Sequence, residues 1–205
     1  MEKFEHVIIF GAGSDIAKEM ARLLAKRNKG IKLTLLNRNI QRLEPFKKDL
    51  EIRFKCIVKL IEFDAFLFDS HKEIIDKLDE SQLCVVAFGI LGNQQDSQAK
   101  FSLAKQIIDS NYTGAVSVLE KVGAQYELRK SGIIVGISSV AGERGRQSNY
   151  LYGSAKAGFT AYLSGLRNRL FKSKVHVLTV LPGFMDTKMT SHLNLTGPLT
   201  SSDKY

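Results

Sequence analysis

The stretch HVIIFGAGSDIAKEM, residues 6–20, is the part of the sequence that most clearly indicates the fold. An apolar run rich in β-branched residues leads directly into a glycine turn, and a segment of helical period follows. Gly11 stands where the chain must turn sharply and let a phosphate approach the backbone, and Gly13 relieves the same crowding. Ile16 occupies the position where a third glycine would complete G-x-G-x-x-G. The stretch predicts a strand, a turn and a helix, and on its own it fits a nucleotide-binding turn or a purely structural one.

Five more apolar runs resemble the first and alternate with helical segments. Their continuous apolar character is typical of strands buried on both faces of a parallel sheet. Alternation of strand and helix then predicts a doubly wound, mostly parallel α/β (Rossmann) sheet with helices on both faces. The predicted strands are 6–10, 32–37, 55–63, 83–88, 132–138 and 174–182, and the long helical stretches are about 94–129 and 149–172.

Size and composition fit one domain, residues 1–205, which we expect to be a single dinucleotide-binding catalytic unit. No apolar run reaches the roughly 20 residues that span a bilayer, and the N-terminus lacks the features of a signal peptide, so we expect a cytoplasmic protein. Cys56 and Cys84 lie within apolar runs, which favours buried thiols over a disulfide. None of the four histidines has metal-ligand spacing, and we predict no metal site.

The formal net charge of +9 raises the question of a nucleic-acid partner. The basic residues are spread over helix faces instead of alternating with exposed aromatics in a stripe, so we predict no nucleic-acid binding. A basic surface still attracts anionic ligands, which include a phosphorylated cofactor and an anionic membrane surface. Peripheral contact with the inner face of a membrane is therefore compatible with the charge.

The first turn predicts where a pyrophosphate would bind. A carboxylate aimed at the phosphates would repel them, so we expect Asp15 to point back and cap the helix. The amides of Ser14 and Ile16, together with the Ser14 hydroxyl, then remain available for phosphate.

Residues after the second, third and fourth strands predict the adenosine site. Asn37 is neutral, and Arg38 can pair with a 2′-phosphate through its planar guanidinium, which favours NADP over NAD, although a solvated Arg38 is the alternative. Asp64 fits a contact with the adenine amino group, and Gly89 fits close approach of a ribose. Both residues are also compatible with ordinary turn chemistry.

The stretch GISSVAGERGRQSNYLYGSAKAG, residues 136–158, carries the candidate catalytic groups. Tyr152 and Lys156 are four residues apart and share one helix face. A phenol with a reference pKa of about 10 needs a nearby cation to lower that value, which Lys156 can provide. Tyr152 would then be the general acid in carbonyl reduction, and Ser139 would bind the developing alkoxide.

These motifs, taken in order, resemble those of the short-chain dehydrogenase/reductase family. The resemblance rests on the first turn, AFG at 87–89, NYTG from Asn111, SSVAG, YGSAK and PGFMDT at 182–187. It implies a catalytic tetrad of Asn111, Ser139, Tyr152 and Lys156, with Ser139 chosen over Ser138 because it directly precedes VAG. It also implies that Asn111 supports a water linked to the lysine. Further cofactor contacts that it implies are Lys156 with the nicotinamide ribose, Tyr152, Ala87, and Pro182, Gly183 and Thr187 around the carboxamide.

Several motifs resemble one branch of that family more specifically, the decaprenylphosphoryl-2-keto-ribose reductases. The motifs are GAGSDIA, AFGILGNQ, NYTGAVSV and LPGFMDTKM. The resemblance implies reduction of a keto-sugar on a polyprenyl phosphate, a partner oxidase and a role in cell-envelope synthesis. Arg144 and Arg146 could then meet the phosphate, or could simply be solvated. The alternatives are a ketoreductase for a soluble or acyl-carrier ketone, and a non-catalytic dinucleotide-binding module.

The end of the chain departs from the family pattern. Members of the family continue through another helix and strand, which we expect to be absent from this chain, so that residues 183–205 form a loop beside the substrate. The helical stretches at about 94–129 and 149–172 correspond to those that pair subunits in the family, which implies a homodimer or homotetramer.

Overall fold

The computed structural model describes residues 3–187. Six parallel strands form one sheet in the order β3-β2-β1-β4-β5-β6. Helices connect the strands and pack on both faces, so the predicted doubly wound α/β fold is confirmed. The strands are β1 (His6–Phe10), β2 (Lys32–Asn37), β3 (Ile57–Glu62), β4 (Leu83–Val86), β5 (Gly132–Ile137) and β6 (Val175–Val180).

Each face of the sheet has its own apolar core. Ala17 and Leu50 belong to the core on one face, and Ile75, Val118 and Phe159 belong to the core on the other. Burial of these surfaces is the main favourable contribution to folding. The helices are α1 (Asp15–Arg27), α2 (Glu44–Phe54), α3 (Phe68–Asp76), α4 (Gln94–Ala99), α5 (Phe101–Ile108), α6 (Gly114–Arg129) and α7 (Tyr150–Leu170).

The prediction that all strands are buried on both faces is wrong for β3 and β6. In β6 buried or half-buried residues alternate with exposed ones, and half of the residues of β3 are exposed, whereas every residue of β1 and β4 is buried. The cause is position, because β3 and β6 are the two edges of the described sheet. Leu178, for example, is 48% exposed.

The predicted helical stretch 94–129 consists of three helices and an irregular turn. Lys100 adopts an extended conformation between α4 and α5, and a π-helical turn, Asp109–Thr113, separates α5 from α6. A π turn widens the helix locally and leaves its backbone bonded differently from the flanking turns. Asn111 lies in this turn, so the irregular segment carries one of the candidate catalytic residues.

The sheet order fixes where a ligand site can form. The chain moves outward from β1 to β2 and β3 and then returns to β4 on the other side of β1. At such a reversal the loops beyond the carboxyl ends of the strands separate and leave a crevice. Among residues 3–187, no helix has both the length and the apolar character needed to cross a bilayer.

Candidate active site

A cleft of about 390 Å³ opens at the carboxyl ends of the strands, where the strand order reverses. It brings together every catalytic and cofactor-binding residue predicted from the sequence. These are Gly11, Gly13, Ser14, Ile16, Arg38, Asp64, Ala87, Gly89, Asn111, Ser139, Tyr152, Lys156, Pro182, Gly183 and Thr187.

The glycine turn after β1 is held by close backbone packing. Gly11 has φ +79°, and a Cβ added there would lie 2.5 Å from the Phe88 amide nitrogen. The amides of Gly11 and Ala12 both donate to the carbonyl of Leu36, at 2.9 and 3.0 Å. Glycine is therefore required at position 11 both by the backbone angle and by the adjacent β4 loop. A Cβ at Gly13 would lie 2.8 Å from Asn37 Oδ1, so the space beside this glycine is taken by a side chain of the protein.

The prediction that Asp15 caps α1 is wrong, because Ser14 is the cap. The Ala17 amide donates to Ser14 Oγ at 3.2 Å, and the Ser14 amide donates to the Gly11 carbonyl at 3.0 Å. The Ser14 amide is thus committed to the turn and is not available for phosphate. Asp15 is the first residue of α1, where its charge interacts favourably with the helix dipole. The Ile16 amide and the hydroxyl hydrogen of Ser14 remain at the start of the helix.

One end of the cleft is lined by Asn37, Arg38 and Asp64. Asn37 Nδ2 donates to the carbonyl of Asn39 at 3.1 Å. Arg38 is exposed and has no ion-pair partner among the described residues. The Phe66 amide donates to Asp64 Oδ1 at 3.0 Å, an Asx-type turn that fixes the carboxylate at the wall of the cleft.

The two adjacent serines after β5 have different roles. Ser138 is buried, its hydroxyl donates to the Lys156 carbonyl at 3.0 Å, and it also shares a hydrogen bond with Thr160 Oγ1 at 2.7 Å. Ser139 instead lines the cleft, where its Oγ accepts from the Ala141 amide at 3.1 Å. Ser138 therefore ties β5 to α7, and the hydroxyl of Ser139 faces the space beside Tyr152.

Lys156 is buried, with 4% of its surface exposed. Its ammonium donates to the backbone carbonyl of Ile137 at 3.0 Å. Burial disfavours the charged form and lowers the pKa of Lys156 to about 8. The ammonium of Lys156 therefore titrates close to physiological pH. Among the described residues, the Ile137 carbonyl is its one hydrogen-bond partner.

The expectation that Lys156 lowers the pKa of Tyr152 is wrong in the unliganded protein. Burial raises the pKa of the Tyr152 phenol, and a hydrogen bond with Ser139 opposes this only in part. Lys156 Nζ lies 5.8 Å from the centre of the Tyr152 ring and is engaged by Ile137. Tyr152 consequently keeps its proton at neutral pH, the form that a general acid requires.

Asn111 is held between the π turn and the loop after β4. Its Nδ2 donates to the carbonyls of Ile90 and Ile107, at 2.7 and 2.9 Å. Its Oδ1 is buried and has no hydrogen-bond partner among residues 3–187. A Cβ added at Gly89 would overlap this oxygen and lie 3.5 Å from Lys156 Nζ. The missing side chain at Gly89, assigned to a ribose contact from the sequence, therefore makes room for Asn111.

Several residues that line the cleft were not predicted from the sequence, among them Phe66, Asn149, Phe184 and Met185. Asn149 directly precedes α7, and an asparagine before a helical segment is a sequence signal for a helix start, although its side chain makes no capping hydrogen bond in the structure. The apolar residues have no comparable signal. Phe184 and Met185 are 42% and 38% exposed at the mouth of the cleft.

The two loop arginines differ in position. Arg146 is half-buried and lines the cleft close to Asn149 and Tyr152, whereas Arg144 is exposed and lies outside it. The side chain of Arg146 has no hydrogen-bond or ion-pair partner among the described residues. Of these two arginines, Arg146 is the one placed to meet a ligand in the cleft.

Comparison with known proteins agrees with this architecture. The family model described as short chain dehydrogenase matches residues 5–197. An uncharacterized oxidoreductase of Mycobacterium tuberculosis is 36% identical over 188 residues, which cover 90% of this chain and 74% of that protein. A short-chain dehydrogenase from Sphingobium yanoikuyae in complex with NADPH superposes with a TM-score of 0.83 at 23% identity, covering 91% of this chain and 74% of that one.

A short-chain type dehydrogenase/reductase from Mycobacterium ulcerans is similarly related in structure. Its TM-score is 0.84 at 22% identity, with 97% of this chain and 74% of that chain covered. At these identities the structural likeness shows the fold, while the family model and the 36% identical relative show the lineage. The chain therefore belongs to the short-chain dehydrogenase/reductase family, whose members are NAD(P)-dependent oxidoreductases.

Proposed function

We propose that this protein is an NAD(P)-dependent reductase that converts a keto group into an alcohol, with Asn111, Ser139, Tyr152 and Lys156 as its catalytic residues. The observation that carries the proposal is the meeting of these side chains in the cleft that the glycine turn after β1 also lines. A purely dinucleotide-binding module has no need of a buried lysine beside a protonated phenol. In this proposal, residues 3–187 belong to a single domain that binds the dinucleotide and carries out the reaction.

The cleft fits a dinucleotide. Gly11 and Gly13 line the cleft, and the N-terminus of α1 beside them offers the Ile16 amide and the Ser14 hydroxyl to a phosphate. Arg38 would pair with a 2′-phosphate, which favours NADP over NAD. Asp64 Oδ2, which has no partner among the described residues, would accept from the adenine amino group. Pro182, Gly183 and Thr187 would hold the nicotinamide end, beside Ala87.

The bound cofactor supplies the hydride, and the protein supplies position and a proton. Tyr152 donates its phenolic proton to the carbonyl oxygen as negative charge develops there. The Ser139 hydroxyl donates a hydrogen bond to the same oxygen and holds it in place. Lys156 would hold the ribose of the cofactor and, when charged, would favour the phenolate that Tyr152 becomes. Asn111 Oδ1, which is buried and has no partner within residues 3–187, suits a water that would return a proton to this site.

The substrate that we propose is a keto-sugar carried on a polyprenyl phosphate, with a role in cell-envelope synthesis. The branch motifs support this class, and Arg146 in the cleft supports an anionic group near the reacting carbonyl. Phe184 and Met185 at the mouth would contact the start of the lipid chain. A partner oxidase would produce the ketone, and the net charge of +9 would assist transient contact with an anionic membrane.

We also propose a homodimer or homotetramer. Phe101 on α5 and Leu128 on α6 are 76% and 85% exposed and lie on the helical stretch expected to pair subunits. The substrate-side loop that we expect at 183–205 is a separate matter: its part from residue 188 onward lies outside the described residues, and its contacts stay a prediction. Light scattering coupled to gel filtration measures the assembly directly.

The test of function is consumption of NADPH and NADH by the protein given polyprenyl-phosphoryl keto-pentose in detergent. Tyr152→Phe should lower kcat by a factor of about 10² or more while leaving cofactor affinity unchanged. Tyr150→Phe is the matched control, since Tyr150 is 41% exposed and does not line the cleft. Turnover of a water-soluble ketone alone would move the substrate class to the soluble alternative. Equal turnover by wild type and Tyr152→Phe would overturn the mechanism.

A further inference from the structure

His71 is a buried histidine that the proposed mechanism does not use. It lies on α3 with 0% of its surface exposed, and it does not line the cleft. Its Nε2 is 3.0 Å from the backbone carbonyl of Asp64, and its Nδ1 is 3.0 Å from Ser117 Oγ on α6. One imidazole therefore joins the loop after β3 to a helix on the same face of the sheet.

The chemistry of the two partners fixes the protonation of the ring. A backbone carbonyl only accepts, so Nε2 carries the hydrogen and donates to Asp64. Burial lowers the pKa of His71, which keeps the ring neutral at physiological pH. In the neutral ring Nδ1 is an acceptor, and the Ser117 hydroxyl donates to it. Both ring nitrogens are thus satisfied in a single arrangement.

Aromatic contacts hold the ring in this orientation. The Phe63 ring is 4.8 Å from the His71 ring, centre to centre, with a 31° angle between the planes. Phe68 packs edge-on at 5.8 Å. Phe63 also directly precedes Asp64 in the chain, so the contact restrains the same loop from its other side.

Asp64 is anchored at its carbonyl and at one carboxylate oxygen. The carbonyl accepts from His71 and from the Leu67 amide at 3.1 Å, and Oδ1 accepts from the Phe66 amide at 3.0 Å. Oδ2 is the remaining acceptor at the wall of the cleft. Rotation of the Asp64 peptide would move this oxygen, and the hydrogen bond from His71 opposes that rotation.

We infer that His71 is a positioning residue for adenine recognition, which acts by holding the Asp64 carboxylate towards the adenine amino group of the cofactor. The inference rests on the proposed function, because Asp64 meets adenine only if the cleft binds NAD(P). His71 touches neither the cofactor nor the substrate. Its effect is on selectivity for the base.

The test compares binding of NADPH and of its hypoxanthine analogue, in which a carbonyl replaces the adenine amino group, by titration calorimetry. Wild type should prefer NADPH by about tenfold or more, the size of one hydrogen bond to a charged acceptor. Asp64→Ala should abolish the preference. His71→Asn should reduce it to about threefold or less, because the shorter amide cannot reach the Asp64 carbonyl. His71→Gln, which has the reach of Nε2, should restore most of it.

Ser117→Ala is the matched control. It removes the other hydrogen bond of His71 and leaves the bond to Asp64, so the preference for adenine should stay within about twofold of wild type. Loss of packing alone would lower the fraction of active protein and the melting temperature without changing the ratio of the two dissociation constants. His71→Leu provides a second variant without the donor if His71→Asn does not fold.

The outcomes separate the inference from the proposed function. Absence of NADPH and NADH binding by wild type would overturn both. Binding without any preference for adenine would overturn the role of Asp64 and, with it, that of His71. A preference that wild type and His71→Asn share, but that Asp64→Ala lacks, would overturn the role of His71 alone.

Discussion

Lys156 donates its hydrogen bond to the backbone carbonyl of Ile137, at 3.0 Å, and not to Tyr152, although the two side chains share a helix face. The carbonyl belongs to the last residue of β5, so the lysine links α7 to the sheet beneath the cleft. Burial of this ammonium lowers its pKa to about 8 and disfavours its charged form. The buried charge of Lys156 therefore lowers the free energy of unfolding of the cofactor-free protein. Lys156 is also the residue that the cofactor ribose would contact.

Replacement of Lys156 by methionine should raise the free energy of unfolding of the unliganded protein at pH 7 by about 1–3 kcal/mol, while abolishing turnover. The folded-state pKa of about 8 lies below the ordinary value of 10.5, so the folded protein binds this proton less tightly than the unfolded chain. The destabilisation is complete below about pH 8 and fades as pH rises towards the unfolded value. The difference in the free energy of unfolding between Lys156→Met and wild type should therefore decrease as pH rises from about 8 towards 10.5.

Denaturant unfolding at several pH values measures this difference. Lys172→Met is the control, because Lys172 is exposed and its replacement should change the free energy of unfolding by less than about 0.5 kcal/mol. A Lys156→Met variant that is less stable than wild type at pH 7 would contradict this prediction. It would show that interactions of the ammonium within the protein outweigh the cost of removing it from water.

The pH dependence of reduction should reflect the same lysine. The kcat/KM for NADPH, measured at saturating ketone, reports groups that titrate in the cofactor-free enzyme, where the charged form of Lys156 is present below a pKa of about 8. We expect kcat/KM to be level at neutral pH and to fall as pH rises through about 8. The raised pKa of Tyr152 keeps the phenol protonated over that range. A profile that stays flat well above pH 8 would exclude a requirement for the charged lysine.

Gly89→Ala should impair both folding and catalysis. The added Cβ would overlap Asn111 Oδ1, and relief of that contact must move the asparagine or the loop after β4, at a cost of about 1–3 kcal/mol. Thermal unfolding and turnover measure the two effects. Gly145→Ala is the control, since no atom lies within 4 Å of a Cβ there, and it should unfold like wild type. A fully active Gly89→Ala would show that the position of Asn111 is not critical.

Arg38→Ala should change the choice of cofactor. Loss of a charged hydrogen-bonding partner for the 2′-phosphate should raise the KM for NADPH by roughly 10- to 100-fold and leave that for NADH within about threefold. Steady-state kinetics with both cofactors measure the ratio. Arg42→Ala, an exposed arginine that does not line the cleft, should leave the ratio unchanged. An equal change in the KM for NADPH and the KM for NADH would show that Arg38 does not recognise the 2′-phosphate.

The sheet could be predicted closely because its signals are local. Each strand is a run of apolar residues, and the predicted bounds 6–10 and 32–37 are those of β1 and β2. The breaks in the stretch 94–129 could not be predicted in this way. Helical periodicity continues through residue 100 and through the π turn, whereas the interruptions accompany tertiary contacts: the π turn packs against α7, and Asn111 within it bonds the Ile90 carbonyl in the loop after β4.

The doubly wound sheet, the edge at which a ligand would bind, and the catalytic and cofactor-binding residues that line the cleft could all be predicted from the sequence, because they follow from the alternation of strand and helix and from the motifs just after each strand. Only the tertiary structure decided what those residues do to one another. The cap at Ser14, the raised pKa of Tyr152, the space that Gly89 leaves for Asn111 and the contact of His71 with Asp64 all depend on burial and on neighbours distant in sequence. Desolvation and steric exclusion act through space, so they become visible only when the chain is folded.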